Sequence, residues 1–417
     1  MRKLLIIFLS FFLFIATKPS IPFNKHPLFS SQCIKKQNKK IRVLLEEKNS
    51  VKENIFNIES EDGIVVTSPF STKKVLVNAK QLKVTIKNNN IFLSVTDPQT
   101  NAIKTKKVKF NEIKLIPAKN NLTFNKTPYQ GSITLTINSK NNTLSIINAL
   151  GLDDYVYSVL ASEGYLEWPM EMHKIQAIIS RTYAIYCMIE TRKNKKNNPL
   201  FDLKNNNFHQ TYNGHHNFTH LRQAIQETHG LILTYNNKDV VLAMFDACCG
   251  GIVPANMKNF IDFGKAPYLA RNHQCTFCKD YNLYQWHHEI PTKNFIEILK
   301  NNPLIAKKFT NTGNLTNIQV SEKDKAGIAH KVKLSFAKKN ITLTGKQLRQ
   351  SINDKIKSLN FNIKKINNKI IIDGNGFGHQ MGLCQKGASE LVRKGWNYKK
   401  ILSFYYPKTK INRLKYA

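Results

Sequence analysis

The spacing of apolar residues changes period once along the chain, near Leu150, and this change restricts the fold more than any other feature. Between Ile41 and Ile147 apolar residues alternate in short runs: Ile41 to Leu45, Gly63 to Val66, Lys74 to Val77, Leu82 to Ile86, Ile91 to Val95 and Ser132 to Ile137. Asn, Lys, Asp and Gly separate them, and a period of two with such punctuation predicts an all-β segment. Its turns, such as Glu61-Asp62-Gly63 and Lys87-Asn88-Asn89-Asn90, carry no recognisable chemistry, so the segment reads as a structural or binding module. Past Leu150, Gly151 to Glu163 and Pro169 to Glu190 have helical spacing, with Ile175, Ile179, Tyr183, Tyr186 and Ile189 on one face of the second helix. Pro169 suits the first turn of that helix, where a missing N–H costs nothing. Strands are expected at Leu231 to Tyr235 and Val240 to Phe245, leading into a Cys-Cys-Gly-Gly turn, and residues 291–361 mix two helices with strands as an insert would. The chain closes with a strand (Lys369 to Asp373), a glycine-rich loop (Gly374 to Gly382), a helix (Gln385 to Lys394) and the aromatic stretch Phe404-Tyr405-Tyr406-Pro407. The predicted class is α+β, without internal repeats.

Arg2 and Lys3 precede an apolar run from Leu4 to Ala16, the layout of a secretory signal. Phe14 and Ala16 make no clean small-x-small cleavage site, so residues 1–18 read as a signal peptide or an N-terminal anchor. Pro19, Pro22, Pro27 and the basic run Lys35 to Lys40 mark residues 19–40 as a linker. Either way the chain is expected outside the cytoplasm, in the periplasm or cell envelope. The formal net charge of +36 favours an anionic partner, while 41% hydrophobic residues exclude a disordered polycation. Part of the excess reflects a sequence rich in Asn, Ile and Lys throughout. Nucleic acid, anionic lipid and a carboxylate-bearing wall polymer would all suit the charge, and export counts against nucleic acid.

Three stretches could carry chemistry. Glu163, Glu167 and Glu171 lie within nine residues of one another beside Trp168, and a glutamate against an apolar wall is the arrangement a glycosidic general acid requires. The plain alternative places Glu171 at a helix start, where it meets the macrodipole, and Glu167 in solvent. The loop Gly374-Asn375-Gly376-Phe377-Gly378-His379 superficially matches a dinucleotide-binding turn but lacks the following βαβ unit and acidic residue. What remains is a backbone able to approach a ligand closely, with His379 and Gln385 on its rim, or else a tight turn with a satisfied histidine. His209, Gln210 and Tyr212 precede His215-His216 with no carboxylate following closely, so no metal is assigned there, and adjacent histidines point apart. Cys248, Cys249, Cys275 and Cys278 have spacing that suits a local disulfide, buried thiols or a metal, but vicinal cysteines are poor joint ligands, and no cofactor or metal is called.

Taken together, these stretches resemble the stage II sporulation protein D family, also called the SpoIID/LytB domain family. The motif residues are Ser162-Glu163, Trp168-Pro169, the helix from Lys174 through Gln176-Ala177 to Arg181-Thr182-Tyr183-Ala184, Gln210-Thr211-Tyr212-Asn213-Gly214, Cys249-Gly250-Gly251, Pro267-Tyr268-Leu269, Gly374 to His379, Gln385-Lys386-Gly387-Ala388 and Tyr405-Tyr406-Pro407. They occur in family order over 147–407. The resemblance implies a β-rich region at 41–146, a mixed α/β core at 147–290 and 367–417, and an inserted subdomain at 291–366. It implies a lytic transglycosylase that cuts peptidoglycan glycan strands stripped of stem peptides and leaves 1,6-anhydromuramyl ends, with Glu163 as catalytic acid. The other activity in the family, stimulation of an N-acetylmuramoyl-L-alanine amidase, implies the alternative of a non-catalytic wall-binding enhancer. Lys174, Gln176, Arg181, Tyr183, Gln210, Tyr212, Gly376, Gly378, His379 and Gln385 are carried over as substrate-binding residues, although Arg181 and Tyr183 on one helix would equally suit bridging roles. The implied partners are glycan strands and a wall amidase.

The sequence departs from the family pattern in places. Glu163-Gly164-Tyr165 stands where many members have Glu-Met-Pro, and Glu167 would raise the Glu163 pKa if the two were close. Lys204, Phe208 and His209 occupy the place where some members bind zinc through Cys and His. Gln380 and Cys384 replace a customary Gly and Ser of the loop.

Overall fold

The computed structural model describes residues 40–414, apart from 69–74, 78–79, 97–99, 194–198, 207–208, 259–260 and 353–354. The expected signal and nearly all of the linker, as well as Phe208, lie outside the described residues. Among those described, no helix is long and apolar enough to cross a membrane. The α+β class holds, and the chain divides into two units.

The first unit holds the β-rich region, α1 (Leu152–Glu163), α2 (Met170–Lys193) and α3 (Thr219–Glu227). One sheet of seven strands has Lys40–Asn49 antiparallel to Thr143–Gly151, with Leu44 opposite Ile147 and a bulge before Glu46, and Ser132–Asn138 follows on the other side. A second sheet of six strands includes Gln81–Lys87, whose alternate residues Leu82, Val84 and Ile86 are buried as a period of two demands. Ile41, Val43, Leu135 and Ile146 share a core with Tyr155 and Val159 of α1 and Ala177 of α2, so the sheet supplies the floor on which the helices lie. The second helix is buried more widely than one apolar face: Gln176, Ser180, Arg181 and Thr182 are buried as well. Pro169 precedes α2, and its carbonyl accepts from the Met172 N–H at 2.9 Å.

The second unit has its own core. Strands Gln285–Pro291, Lys369–Asn375 and Phe361–Ile366 form an antiparallel sheet, and Leu315–Lys323, Ala329–Phe336 and Asn340–Thr344 form another. Trp286, Phe295, Val332, Leu334 and Ile370 pack together with α4 (Thr292–Asn301) and α5 (Gly345–Ser351). Thr344 and Gln347 close a capping box on α5. The unit ends in α6 (Gln385–Arg393) and α7 (Tyr398–Tyr405). The strand expected over Val240 to Phe245 is interrupted: Asp239–Val240 pairs with Leu231–Tyr235, whereas Phe245–Asp246 pairs in parallel with Leu383–Cys384. Between them the backbone has left one ladder partner and not reached the next.

Candidate active site

Glu163 is the last residue of α1, a position set by Gly164, which ends the helix in an extended conformation. A Cβ on Gly164 would lie 2.8 Å from the Trp168 ring and 3.0 Å from the Leu160 carbonyl, so only glycine lets the indole close over this corner. Tyr165 meets Trp168 edge-on, with centroids 5.4 Å apart. The Glu163 side chain is partly buried, and the Thr211 N–H donates to its Oε1. Burial raises the carboxyl's pKa, and the hydrogen bonds from Thr211 act in the opposite direction. Exposed Glu167 is not among the causes of this shift, so the closeness on which its effect would depend is not met.

Gln210 and Tyr212 flank Thr211 and point inward. The Tyr155 hydroxyl donates to Gln210 Oε1 at 3.0 Å, the Tyr212 hydroxyl donates to Asn148 Oδ1 at 2.5 Å, and the Tyr155 and Tyr212 rings stack at 5.4 Å. These bonds fix the Thr211 backbone against the end of α1. On α2, Gln176 lies 3.3 Å from Ser180 Oγ, and Arg181, wholly buried, sits 2.8 Å from Asp153 Oδ1 and donates to the Leu231 carbonyl at 3.2 Å. The Lys174 ammonium meets Glu171 at 3.0 Å and Glu227 at 2.6 Å, tying α2 to α3. Tyr183 is partly buried, its ring edge-on to His209. The structure thus groups Glu163 with Gln210 and Tyr212 through Thr211, and sets Lys174, Gln176 and Arg181 against groups of the protein itself.

Gly376, Gly378, His379 and Gln385 lie in the second unit. Gly378 has φ +129°, and a Cβ there would collide with the Asp246 side chain. Asp246 is buried, and its Oδ2 accepts from the Gln380 N–H at 2.5 Å. Burial pushes its pKa well up. His379 Nδ1 accepts from the Met381 N–H at 3.1 Å and lies 3.8 Å from Asp246. Burial first, then Arg349, lowers the His379 pKa to about 4, against a weaker hydrogen bond to the Phe245 carbonyl. The ring is therefore neutral near pH 7, with its proton on Nε2. Gln385 opens α6. Sequence reasoning missed Thr211 and Asp246. The only signal for Asp246 was a carboxylate closing an apolar strand, and for a backbone N–H donor there was none.

The family described as Stage II sporulation protein matches residues 140–235, the stretch that contains Glu163, α2 and Thr211. A stage II sporulation protein D of Bacillus subtilis is 24% identical over 64% of this chain and 76% of its own. The chain belongs to the stage II sporulation protein D family. An uncharacterized protein of Brachyspira hyodysenteriae is 34% identical over 68% of this chain and 72% of its own. The amidase enhancer of Bacillus subtilis is 24% identical over 60% of this chain, and the chain spans only 39% of that protein's length. A domain of unknown function matches residues 256–382.

The zinc that some members of the stage II sporulation protein D family hold ahead of the Gln-x-Tyr motif does not fit the residues here. Burial and then the Lys204 charge lower the His209 pKa to about 4, and an ammonium beside the imidazole repels a cation. The cysteines are also grouped differently from their spacing in sequence: Cys384 joins Cys249, Cys275 and Cys278, while Cys248 borders the group.

Proposed function

We propose that the chain is an exported lytic transglycosylase of the cell envelope, acting on peptidoglycan glycan strands stripped of stem peptides. The observation that carries this reading is Glu163 at the corner of α1, its carboxyl pKa raised by burial and one oxygen oriented by the Thr211 N–H. A general acid needs this, since a raised pKa keeps the proton available nearer neutrality. The acid gives its proton to the glycosidic oxygen as the bond to the muramyl C1 breaks. The resulting carboxylate takes the proton of the C6 hydroxyl of the same sugar while that oxygen bonds to C1. The products are a 1,6-anhydro end and a free hydroxyl, the acid is regenerated and no water is consumed. One carboxylate suffices, unlike in hydrolases that use two. In this scheme Gln210 and Tyr212 position the corner, Gln176, Arg181 and Lys174 brace α2 within the protein, and Tyr183 is the sugar contact assigned to the first unit; in the second unit His379 and Gln385 are assigned to glycan. The net positive charge suits an anionic wall.

A second reading, a non-catalytic enhancer of a wall amidase, is favoured by the likeness to the amidase enhancer. One experiment separates them: the wild-type chain and Glu163→Gln are incubated with amidase-stripped and with intact peptidoglycan, and soluble products are weighed by mass spectrometry. Anhydromuramyl ends from stripped glycan with wild type, absent with the variant, are expected. Equal release by Glu163→Gln refutes the mechanism, and binding without release favours the enhancer.

A further inference from the structure

Four cysteines far apart in sequence converge within the second unit. The sulfurs of Cys249, Cys275, Cys278 and Cys384 all lie within 4.8 Å of one another, and those of Cys249 and Cys278 are 3.7 Å apart. A tetrahedron with metal–sulfur bonds of about 2.3 Å has edges of about 3.8 Å. Cys275 and Cys384 are 0% exposed, Cys249 and Cys278 2%, so an ion among them would be closed off from water, as a structural metal is. All four are free thiols.

The surroundings are built for sulfur. The N–H groups of Cys249 and Gly387 donate to Cys384 Sγ at 3.2 and 3.4 Å, and the Tyr405 hydroxyl lies 3.2 Å from Cys275 Sγ. Donors aimed at ligand sulfur are the usual second layer of a thiolate site. Gly387 leaves the necessary room, since a Cβ there would stand 2.7 Å from Cys275 Sγ and 3.4 Å from Cys384 Sγ. Of the vicinal pair, Cys249 alone has its sulfur within 4.8 Å of all three others, while the Cys248 thiol reaches Cys278 and Cys384 from the edge of the group, so the four ligands need only one of the two neighbours.

We propose that Cys249, Cys275, Cys278 and Cys384 form a closed tetrathiolate site for one zinc ion. Four soft ligands at tetrahedral spacing with no open position suit zinc in a structural role. The ion would join three segments: the turn after Phe245–Asp246, the Cys275 to Cys278 loop and the start of α6, which Cys384 caps. The Cys248 backbone pairs with Phe377, so the same ion would hold the glycine-rich loop that carries His379. None of these thiols takes part in the glycan chemistry, and the site stands whether or not that reading does.

The test is metal analysis of the purified full chain, prepared with reductant and without chelator, by plasma mass spectrometry. One zinc per chain is expected, and exchange with cobalt should give the visible bands of tetrahedral thiolate ligation. Cys278→Ser and Cys384→Ser should lose the ion, while Cys187→Ser, in the first unit, keeps it. Because a ligand variant could unfold, the wild-type stoichiometry and cobalt spectrum decide by themselves. A metal-free wild type overturns the proposal, whether its thiols all alkylate or pair as disulfides, and so does one iron per chain.

Discussion

Replacing Arg181 by Met separates a structural from a ligand-binding role at the centre of the family motif. The guanidinium has no exposed surface and lies 2.8 Å from the Asp153 carboxylate, whose side chain is 24% exposed. Breaking a buried ion pair on one side costs about 3–5 kcal/mol. Here Asp153 keeps a second partner, His229 at 2.6 Å, and some solvent, which lowers the expected loss to about 2–4 kcal/mol. Each kcal/mol moves the midpoint of a unit of roughly 200 residues by about 2–4 °C, so Arg181→Met should lower the first unit's Tm by about 4–16 °C. Arg181→Lys should fall between the two, since an ammonium keeps the charge and loses the fork. Calorimetry of the three chains gives the shift, and glycan release measured well below the lowest midpoint should be unchanged per folded molecule. An unchanged Tm together with lost release would refute the reasoning and make Arg181 a substrate contact.

Glycan release should be highest on the acid side and decline as pH rises through the folded pKa of Glu163, because burial raises that pKa and only the protonated form is an acid; a rate that rises with pH across this window would contradict the assignment. Asp202 gives a second pH signature. Burial pulls its pKa up, but Arg192 and Arg42, at 2.6 and 2.9 Å, outweigh burial and lower it below the ordinary value. Its contribution is therefore present above the unfolded carboxyl pKa of about 3.9 and lost as pH falls through the folded one. In urea titrations Asp202→Asn should be less stable than wild type at neutral pH, and the gap should close in acid; a constant gap would refute the linkage.

The architecture was largely legible because periodicity reports burial directly. The period of two over Leu82 to Ile86 and the helical spacing after Leu150 both appear where they were expected, and Gly164 and Pro169 punctuate the corner as their backbone limits require. The strand over Val240 to Phe245 failed because hydropathy says that a segment is buried and nothing about which ladder receives it. The chemistry was legible only as residue types. That Glu163 would carry a raised pKa depended on the packing around it and on a Thr211 N–H brought from 48 positions away.

The sequence by itself determined the α+β class and the motif order, because these depend on local spacing. Tertiary structure decided what the motif residues face: Arg181 an internal carboxylate, Gln210 and Tyr212 an internal hydrogen-bond network, and Cys384 three cysteines more than a hundred residues earlier. The physical reason is that hydrogen bonds and ligand geometry act over a few ångströms in space, and only the folded chain brings residues remote in sequence to that distance.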